Sequence, residues 1–447
     1  MRVCKAETRA LPIASTPVTL DSMVRIGVLG CGNVGGALVQ LIAKQASAIE
    51  ASTGVRLEVT RVAVRTLSRD RDVVLADGVL TRDAAGVVDD PNIDIVVELI
   101  GGIEPARELI LSAMAQGKPV VTGNKELLAN FGGELFAAAD AKGVDLLFEA
   151  AVAGGIPLIR PLRESLRGEP IRRIMGIVNG TTNFILTKMA EEGTDYAVAL
   201  SEAQRLGYAE RDPTADVEGF DAGAKAAIIA SIAFGSRVVA GDVYHEGISQ
   251  ITGKDIAMAK KLGYVIKLLA ICEQDPASKE IAVRVHPAMV PVQHPLASVR
   301  DSYNAVFIEG DAVGSLMFYG RGAGGSPTAS AVLGDLIDAA VNLRKGTHAP
   351  LGTFSRSPIL GMDETSSQFY VVLEVVDRPG VLHTVTGVFA RHGVSIRAAE
   401  QEGLGADARL VFITHVAKEA DMQATLRELR DLDVVGSASG LLRVIGE

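Results

Sequence analysis

The 447-residue chain contains no tryptophan, and its aromatic residues together amount to only 4%. Any core must therefore be aliphatic and alanine-rich, as where helices pack on parallel sheets whose strands read as Val/Ile/Leu runs. Cysteine is almost missing. Cys4, Cys31 and Cys272 are too few for a disulfide framework, and no two stand at metal-ligand spacing. The seven histidines are scattered, with no pair at zinc spacing. An excess of positive charge is also missing. With 44 basic against 54 acidic residues and a net charge of −10, the chain lacks the basic footprint of a nucleic-acid binder. No run approaches the ~18 consecutive apolar residues of a membrane span. Residues 1–22 lack the apolar segment of a signal peptide and read as a disordered leader, with Met23 opening the folded part. These absences predict a cytoplasmic protein of a reducing compartment.

Apolar residues, by contrast, make up 48% of the chain, and the length suggests about three domains of roughly 150 residues each. A strand pattern over 24–29 runs into Gly30-Cys31-Gly32-Asn33-Val34-Gly35 and then a helical stretch over 37–52. Strands follow at 56–64, 93–100 and 119–122, with a helix over 104–116 stopped by Gly117. Alternation of this kind predicts an α/β fold, a Rossmann-type doubly wound parallel sheet over 23–150, to which a late segment near 315–345 returns. The texture then changes. Residues 151–345 hold a strand over 171–178 and helices over 184–192, 196–206 and 222–234, and read as an α+β substrate-binding and dimerisation domain. Residues 346–365 form a Gly/Pro/Ser/Thr-rich linker. The tail, 366–447, carries the β-α-β-β-α-β pattern of a ferredoxin-like unit, long enough to fold alone.

A lone G-x-G-x-x-G says little, but Gly30, Gly32 and Gly35 lie directly between a strand and a helix, the context that gives the pattern meaning. Gly30 suits the tight turn, Gly32 the close approach of a pyrophosphate and Gly35 the packing of helix on strand. Amides at Asn33 and Val34 open the helix that would meet the diphosphate. An NAD site usually ends its second strand in an acid. Here that strand ends in Arg65, with Arg69 and Arg71 after it. Arginine suits a 2′-phosphate, which favours NADP over NAD; an ordinary solvated loop is the bland alternative.

Two stretches of the middle region carry chemistry. Asn179-Gly180-Thr181-Thr182-Asn183 offers small polar groups that could grip a polar substrate. Downstream, Glu210, Asp212, Asp216, Glu218 and Asp221 crowd a loop that opens onto a helix bearing Lys225. Asp221 and Lys225 are four apart and share one helix face. A solvated ion pair there would contribute only a few tenths of a kcal/mol. Yet Lys225 begins an otherwise apolar helix, Ala226-Ala227-Ile228-Ile229-Ala230, and a partly buried ammonium beside carboxylates is a ready proton donor.

With these residues the chain resembles homoserine dehydrogenases, from the glycine loop to its end. The matching motifs include Val97-Glu98-Leu99-Ile100-Gly101-Gly102, Thr122-Gly123-Asn124-Lys125 and Phe148-Glu149-Ala150-Ala151-Val152-Ala153-Gly154-Gly155-Ile156-Pro157. A later match runs from Asn304 through Asp311 to Tyr319-Gly320-Arg321-Gly322-Ala323-Gly324-Gly325. The resemblance implies NAD(P)-linked interconversion of L-aspartate 4-semialdehyde and L-homoserine. It implies Lys225 as the catalytic lysine and Lys125 as a second one near substrate and nicotinamide. Glu210 and Asp221 match substrate-binding carboxylates, Asp216 lies in the same motif, and Asn179, Gly180 and Thr181 would line the substrate. Gly322 matches a loop near the nicotinamide. A monovalent cation (Na+ or K+) site made largely of carbonyls is implied at Glu149, Val152, Gly154 and Ile156.

In the tail, Asp377-Arg378-Pro379-Gly380-Val381 resembles the signature turn of ACT domains, which pair and often bind amino acids. The resemblance implies L-threonine as an effector at Asp377, Pro379, Gly380 and Val381; a pairing module without effector is the alternative. A homodimer or homotetramer is expected, and a chain ending near Met362 should stay active but lose threonine sensitivity. Two rivals fare worse. A phosphorylating aldehyde dehydrogenase needs a cysteine nucleophile, and Cys272 has no histidine arranged beside it in the sequence. A non-catalytic sensor has no use for the set Lys125, Glu210, Asp221 and Lys225.

Overall fold

Val24, Ile26, Val28 and Leu29 are wholly buried because the strand they form lies inside a sheet covered on both faces. The computed structural model describes residues 23–68, 71, 73–403 and 408–446; the leader expected over 1–22, and Arg69, lie outside them. In chain order the first part comprises β1 (Met23–Leu29), α1 (Asn33–Thr53), β2 (Arg56–Ala63), β3 (Leu80–Thr81) and α2 (Ala84–Asp89). It continues with β4 (Ile95–Glu98), α3 (Ala106–Ala115), β5 (Val120–Thr122), α4 (Lys125–Lys142) and β6 (Leu146–Leu147). The sheet order is β3-β2-β1-β4-β5-β6, parallel throughout. This is the doubly wound arrangement, whose order reverses between β1 and β4 and opens a crevice at the strands' carboxyl ends.

The middle part holds α5 (Ile159–Arg163), β7 (Ile171–Ile177), α6 (Gly180–Glu192), α7 (Tyr196–Arg205), α8 (Thr214–Val217) and α9 (Phe220–Phe234). After them come β8 (Tyr244–His245), α10 (Gly253–Lys261), β9 (Tyr264–Gln274), β10 (Ile281–Pro291), β11 (Tyr303–Gly310), β12 (Gly314–Arg321) and α11 (Gly325–Lys345). The long strands β9 to β12 were not foreseen. In β10 every residue up to Val290 is buried, so no alternation betrays the strand. Helix α11 crosses back to the first sheet, where Ala329, Val332, Leu333 and Leu336 share a core with Val28 and Leu38.

The tail comprises β13 (Ser366–Val375), α12 (Val381–Arg391), β14 (Ile396–Glu402), β15 (Arg409–Thr414), β16 (Ala417–Lys418), α13 (Glu419–Arg430) and β17 (Val435–Val444). Its order β17-β13-β15-β14 and antiparallel pairings are ferredoxin-like. It does not hang free. β17 pairs with β10 at Ala288↔Arg443 and Met289↔Val444, joining tail and middle strands into one eleven-stranded sheet. The linker is a fastened strap: the amides of Ala349 and Leu351 bond Asp145 and Asp140, and Phe354 stacks on Phe136. No helix among the described residues is long and apolar enough to cross a membrane.

Candidate active site

Helix α9 begins at Phe220, two residues earlier than the sequence pattern suggests, which puts Asp221 in its first turn. Only 8% of Asp221 is exposed. Lys225, one turn on, donates from Nζ to Asp221 Oδ2 at 2.7 Å and to the Val178 carbonyl at 2.7 Å. An ammonium has three N–H donors, so one is left over. Lys125 opens α4, which Asn124 caps by accepting from the Leu127 amide. Its ammonium pairs with Asp221 Oδ1 from the dinucleotide-domain side. The carboxylate is thus held between two lysines brought from different parts of the chain.

Asn179 orders the surroundings. Its Oδ1 caps α6 by accepting from the Thr182 amide at 2.9 Å. Its Nδ2 donates to Asp221 Oδ2 at 2.9 Å and to Asp216 Oδ1 at 2.7 Å. Gly180 starts the helix, and Thr181 Oγ1 donates to the Tyr208 carbonyl at 2.7 Å. Glu210 stands apart: it is exposed, and its carboxylate is not paired with either lysine.

The charges follow from this packing. Burial alone would raise the Asp221 carboxyl, but Lys225 and Lys125 outweigh it and hold the group well below the usual range. Burial pulls the Lys125 ammonium down, yet Asp221, then Asp216 and Glu126, prevail and raise it. Asp216 is pushed up, chiefly by burial, against the hydrogen bond from Asn179. Asp221 is shared by the two ammoniums, with Asp216 beside them, and the Lys225 N–H that neither bond uses is a donor for an oxygen that gains charge.

The glycine loop divides its labour. Gly30 has φ +101°, and a β-carbon there would stand 2.6 Å from the Leu99 carbonyl oxygen. At Gly35 a β-carbon would overlap the Gly30 carbonyl. Neither glycine can be replaced without moving backbone. At Gly32 an added β-carbon would meet nothing within 4 Å, so the protein's own packing does not require that glycine. A dinucleotide diphosphate lying on the loop would. Asn33 is exposed and Val34 half-buried, and the first turn of α1 holds no acidic side chain. These features fit a diphosphate. Arg65 lies two residues beyond β2 and is exposed, while Arg71 turns back to the carbonyls of Thr66 and Leu67.

One organising group at the crevice was not singled out from sequence. Glu98, fully buried at the end of β4, accepts from the amides of Ile100 and Gly101 and from Thr122 Oγ1 at 2.6 Å. A charged residue closing an otherwise apolar strand was the available signal.

Glu149 is only 4% exposed, and its carboxylate accepts from the amides of Leu158, Ile159 and Arg160. Its side chain is therefore occupied, and a cation at this loop would rely on carbonyls, those of Glu149, Val152, Gly154 and Ile156. Ala153 and Gly154 take positive φ, 57° and 49°, which bends the segment sharply. The described residues hold no cluster of three or more His, Cys, Asp or Glu able to take a metal. In the tail, Asp377, Pro379 and Gly380 are exposed while Val381 is buried, and Gly380 caps α12.

Three family models match the chain: homoserine dehydrogenase, NAD binding domain over residues 30–149, homoserine dehydrogenase over 157–337 and ACT domain over 369–434. The homoserine dehydrogenase of Corynebacterium glutamicum is 50% identical over 427 residues, covering 95% of this chain and 96% of that one. The solved homoserine dehydrogenase of Thiobacillus denitrificans superposes with a TM-score of 0.89 at 44% identity, over 95% of this chain and 98% of that one. A hyperthermophilic archaeal homoserine dehydrogenase solved in complex with NADPH gives a TM-score of 0.60 at 30% identity, over 71% of this chain and 98% of that one. The chain belongs to the homoserine dehydrogenase family, oxidoreductases of amino-acid biosynthesis, and joins an NAD-binding domain and a catalytic part to a C-terminal ACT domain.

Proposed function

We propose that this chain reduces L-aspartate 4-semialdehyde to L-homoserine reversibly, with Lys225 as proton donor and Lys125 as its electrostatic partner. The observation that carries the assignment is the Asp221 carboxylate gripped by both ammoniums. The nicotinamide, when bound, supplies the hydride. As the aldehyde oxygen gains charge, the third N–H of Lys225 hands it a proton, leaving a neutral amine that regains its proton from solvent. Lys125, more open to water than Lys225, stabilises the same oxygen. Asp221 keeps Lys125 charged and aims both lysines. Asp216 and Glu210 would take the substrate's α-ammonium, and Asn179, Gly180 and Thr181 would shape its pocket.

Gly30, Gly32, Asn33, Val34 and Gly35 would hold the diphosphate. Arg65, exposed beside the second strand, supports NADP over NAD. A Na+ or K+ ion on the carbonyls of Glu149, Val152, Gly154 and Ile156 would brace the turn between the two domains. Threonine at the Asp377–Val381 turn, a homodimer or homotetramer and a cytoplasmic location complete the reading.

The test follows oxidation of NADPH and NADH side by side with aspartate semialdehyde, phosphate omitted, with and without threonine. Lys225→Ala should lower kcat by about 10²–10⁴-fold, the range of general acid catalysis, and leave the Kd for NADPH unchanged. Equal loss of both, or no turnover by the unmodified enzyme, overturns the assignment.

A further inference from the structure

Three strands of the first sheet end on one line, and a candidate site segment follows two of them. In the sheet register Leu29 of β1, Glu98 of β4 and Thr122 of β5 lie side by side. Leu29 leads into the glycine loop, Glu98 into Gly101-Gly102 and Thr122 into Asn124-Lys125. Sheets of this kind bind ligands beyond the carboxyl ends of their strands, so the line lies under the crevice. Its middle residue is the one that carries charge.

Glu98 is wholly buried, and all its hydrogen-bond partners are neutral N–H and O–H groups. Oε1 accepts from the amides of Ile100 at 2.8 Å and Gly101 at 3.1 Å, which folds the turn after β4 back over the side chain. Oε2 accepts from Thr122 Oγ1 at 2.6 Å. Burying a carboxylate without a counter-ion is costly, and a strand end with no duty but packing could be apolar, as Leu29 beside it is. What a carboxylate adds is direction. It accepts and cannot donate, so the Thr122 hydroxyl points its hydrogen at Glu98 and keeps its lone pairs for another donor. The Asn124 amide is that donor, at 3.0 Å. Asn124 then donates from Nδ2 to the Gly102 carbonyl at 2.7 Å and accepts at Oδ1 from the Leu127 amide at 3.1 Å. The bonds close on themselves: Glu98 holds the turns after β4 and β5, and Asn124 ties the second turn back to the first while capping α4. Lys125 is the next residue and the first of that helix.

The two lysines of the site are aimed differently. Lys225 is held by Asp221 on its own helix and by the Val178 carbonyl. Lys125 pairs with Asp221 from a separate element and is the more open of the two, so its aim depends on where α4 begins. We propose that Glu98 is a positioning residue for Lys125, fixing the first turn of α4 through Thr122 and Asn124 so that the ammonium meets Asp221 and the reacting oxygen. The inference rests on the role given to Lys125 above. Glu98 itself exchanges no proton with the substrate.

Thr122→Val is the sharpest probe. Valine suits a strand, fills the same space, and removes the hydroxyl that links Glu98 to Asn124 while leaving both amides on Glu98. Turnover, kcat, should fall about tenfold, the size of one hydrogen bond, with the Kd for NADPH held within about twofold. The charged groups facing Lys125 are Asp221, Asp216 and Glu126, and slackening its contact with Asp221 weakens the strongest force that keeps it charged. The alkaline limb of kcat/KM should therefore move to lower pH, in the same direction as in Asp221→Asn, which loss of packing alone would not do. Thr122→Ser restores the hydroxyl and should bring back both kcat and the limb. Glu98→Gln keeps one oxygen for the amides and turns an N–H toward Thr122, so it should act as Thr122→Val does. Combined, the two changes should cost kcat no more than the larger alone, because they cut one path.

A Thr122→Val enzyme that melts lower but keeps its kcat and its alkaline limb overturns the proposal and leaves Glu98 a brace of the fold. So does a loss confined to NADPH affinity, which would make the network a support for the cofactor. A limb that moves in neither Thr122→Val nor Asp221→Asn sinks the reading of Lys125, and the proposal with it. An unmodified enzyme that binds NADPH but shows no turnover would sink the dehydrogenase reading on which both stand.

Discussion

The carboxylate of Asp221 lies between two ammoniums, and for Asp221 and Lys125 the signs can be followed through pH. Asp221 is held low and Lys125 high, so their pair contributes stability above the ordinary carboxyl range. That contribution is lost as pH falls through the depressed Asp221 value, or as pH rises from the ordinary lysine value through the raised Lys125 value. Asp221→Asn removes the largest force holding the Lys125 ammonium charged, while burial, which favours the neutral amine, stays. The alkaline limb of kcat/KM should then move to lower pH in Asp221→Asn, measured as a full pH profile beside the parent enzyme. An alkaline limb that does not move would mean that Lys125 is not the group whose loss of charge limits turnover. At this scale the sequence was informative but local. Asp221 and Lys225 declare their contact by spacing, because residues four apart share a helix face. Lys125 declares nothing: its contact with Asp221 depends on how α4 docks against α9, which no local pattern encodes.

Among the elements, the glycine loop was legible because strand, turn and helix each impose a local rule. Its glycines nevertheless answer to different constraints, and substitution should separate them. Gly35→Ala drives a methyl into the Gly30 carbonyl and should lower the melting temperature. Gly32 has an ordinary φ of −84° and open space beside it, so Gly32→Ala should cost no more than about 1 kcal/mol of stability, the modest preference of a helix N-cap for glycine over alanine. The Gly32 variant should instead bind NADPH more weakly, read by fluorescence titration. Unchanged affinity in Gly32→Ala would mean that the diphosphate does not lie on this loop. The strands β9 and β10 escaped for an opposite reason: buried on both faces, they lose the period-two signal that marks a half-exposed strand. Early onset of α9 escaped as well, since Gly219 in the left-handed region lets the helix start on Phe220, a residue half exposed to water.

At the scale of the whole molecule, the tail's topology was readable from its sequence and its attachment was not. The β-α-β-β-α-β pattern describes a unit that could stand alone, and a chain ending near Met362 looked like a simple test of regulation. The structure argues otherwise. Tyr370, Val411, Leu442 and Val444 belong to the same core as residues of α9, the helix that bears Asp221 and Lys225, and β17 continues the sheet through β10. Arg443, 2% exposed, binds Glu419 of the tail through Nε and Nη2 at 2.9 and 2.7 Å. Its Nη1 reaches Glu246 of the middle part at 2.7 Å. Glu246 adjoins Gly247, which packs on Val217 and Glu218, and the Ile248 amide bonds the Val217 carbonyl at 2.8 Å. That segment leads directly into Asp221. Cutting at Met362 would strip apolar cover from β10 and remove the arginine that pairs with Glu246, so the shortened chain should melt well below the parent or precipitate. Arg443→Met is the gentler probe. It keeps the apolar cover but leaves the buried Glu419 unpaired, a loss of about 3–5 kcal/mol for a broken buried pair. If the Arg443–Glu246 contact also steadies the approach to Asp221, this variant should raise the KM for aspartate semialdehyde while the Kd for NADPH holds. A shortened chain as stable and as active as the parent would show that the shared sheet is an accident of packing, with no bearing on the site.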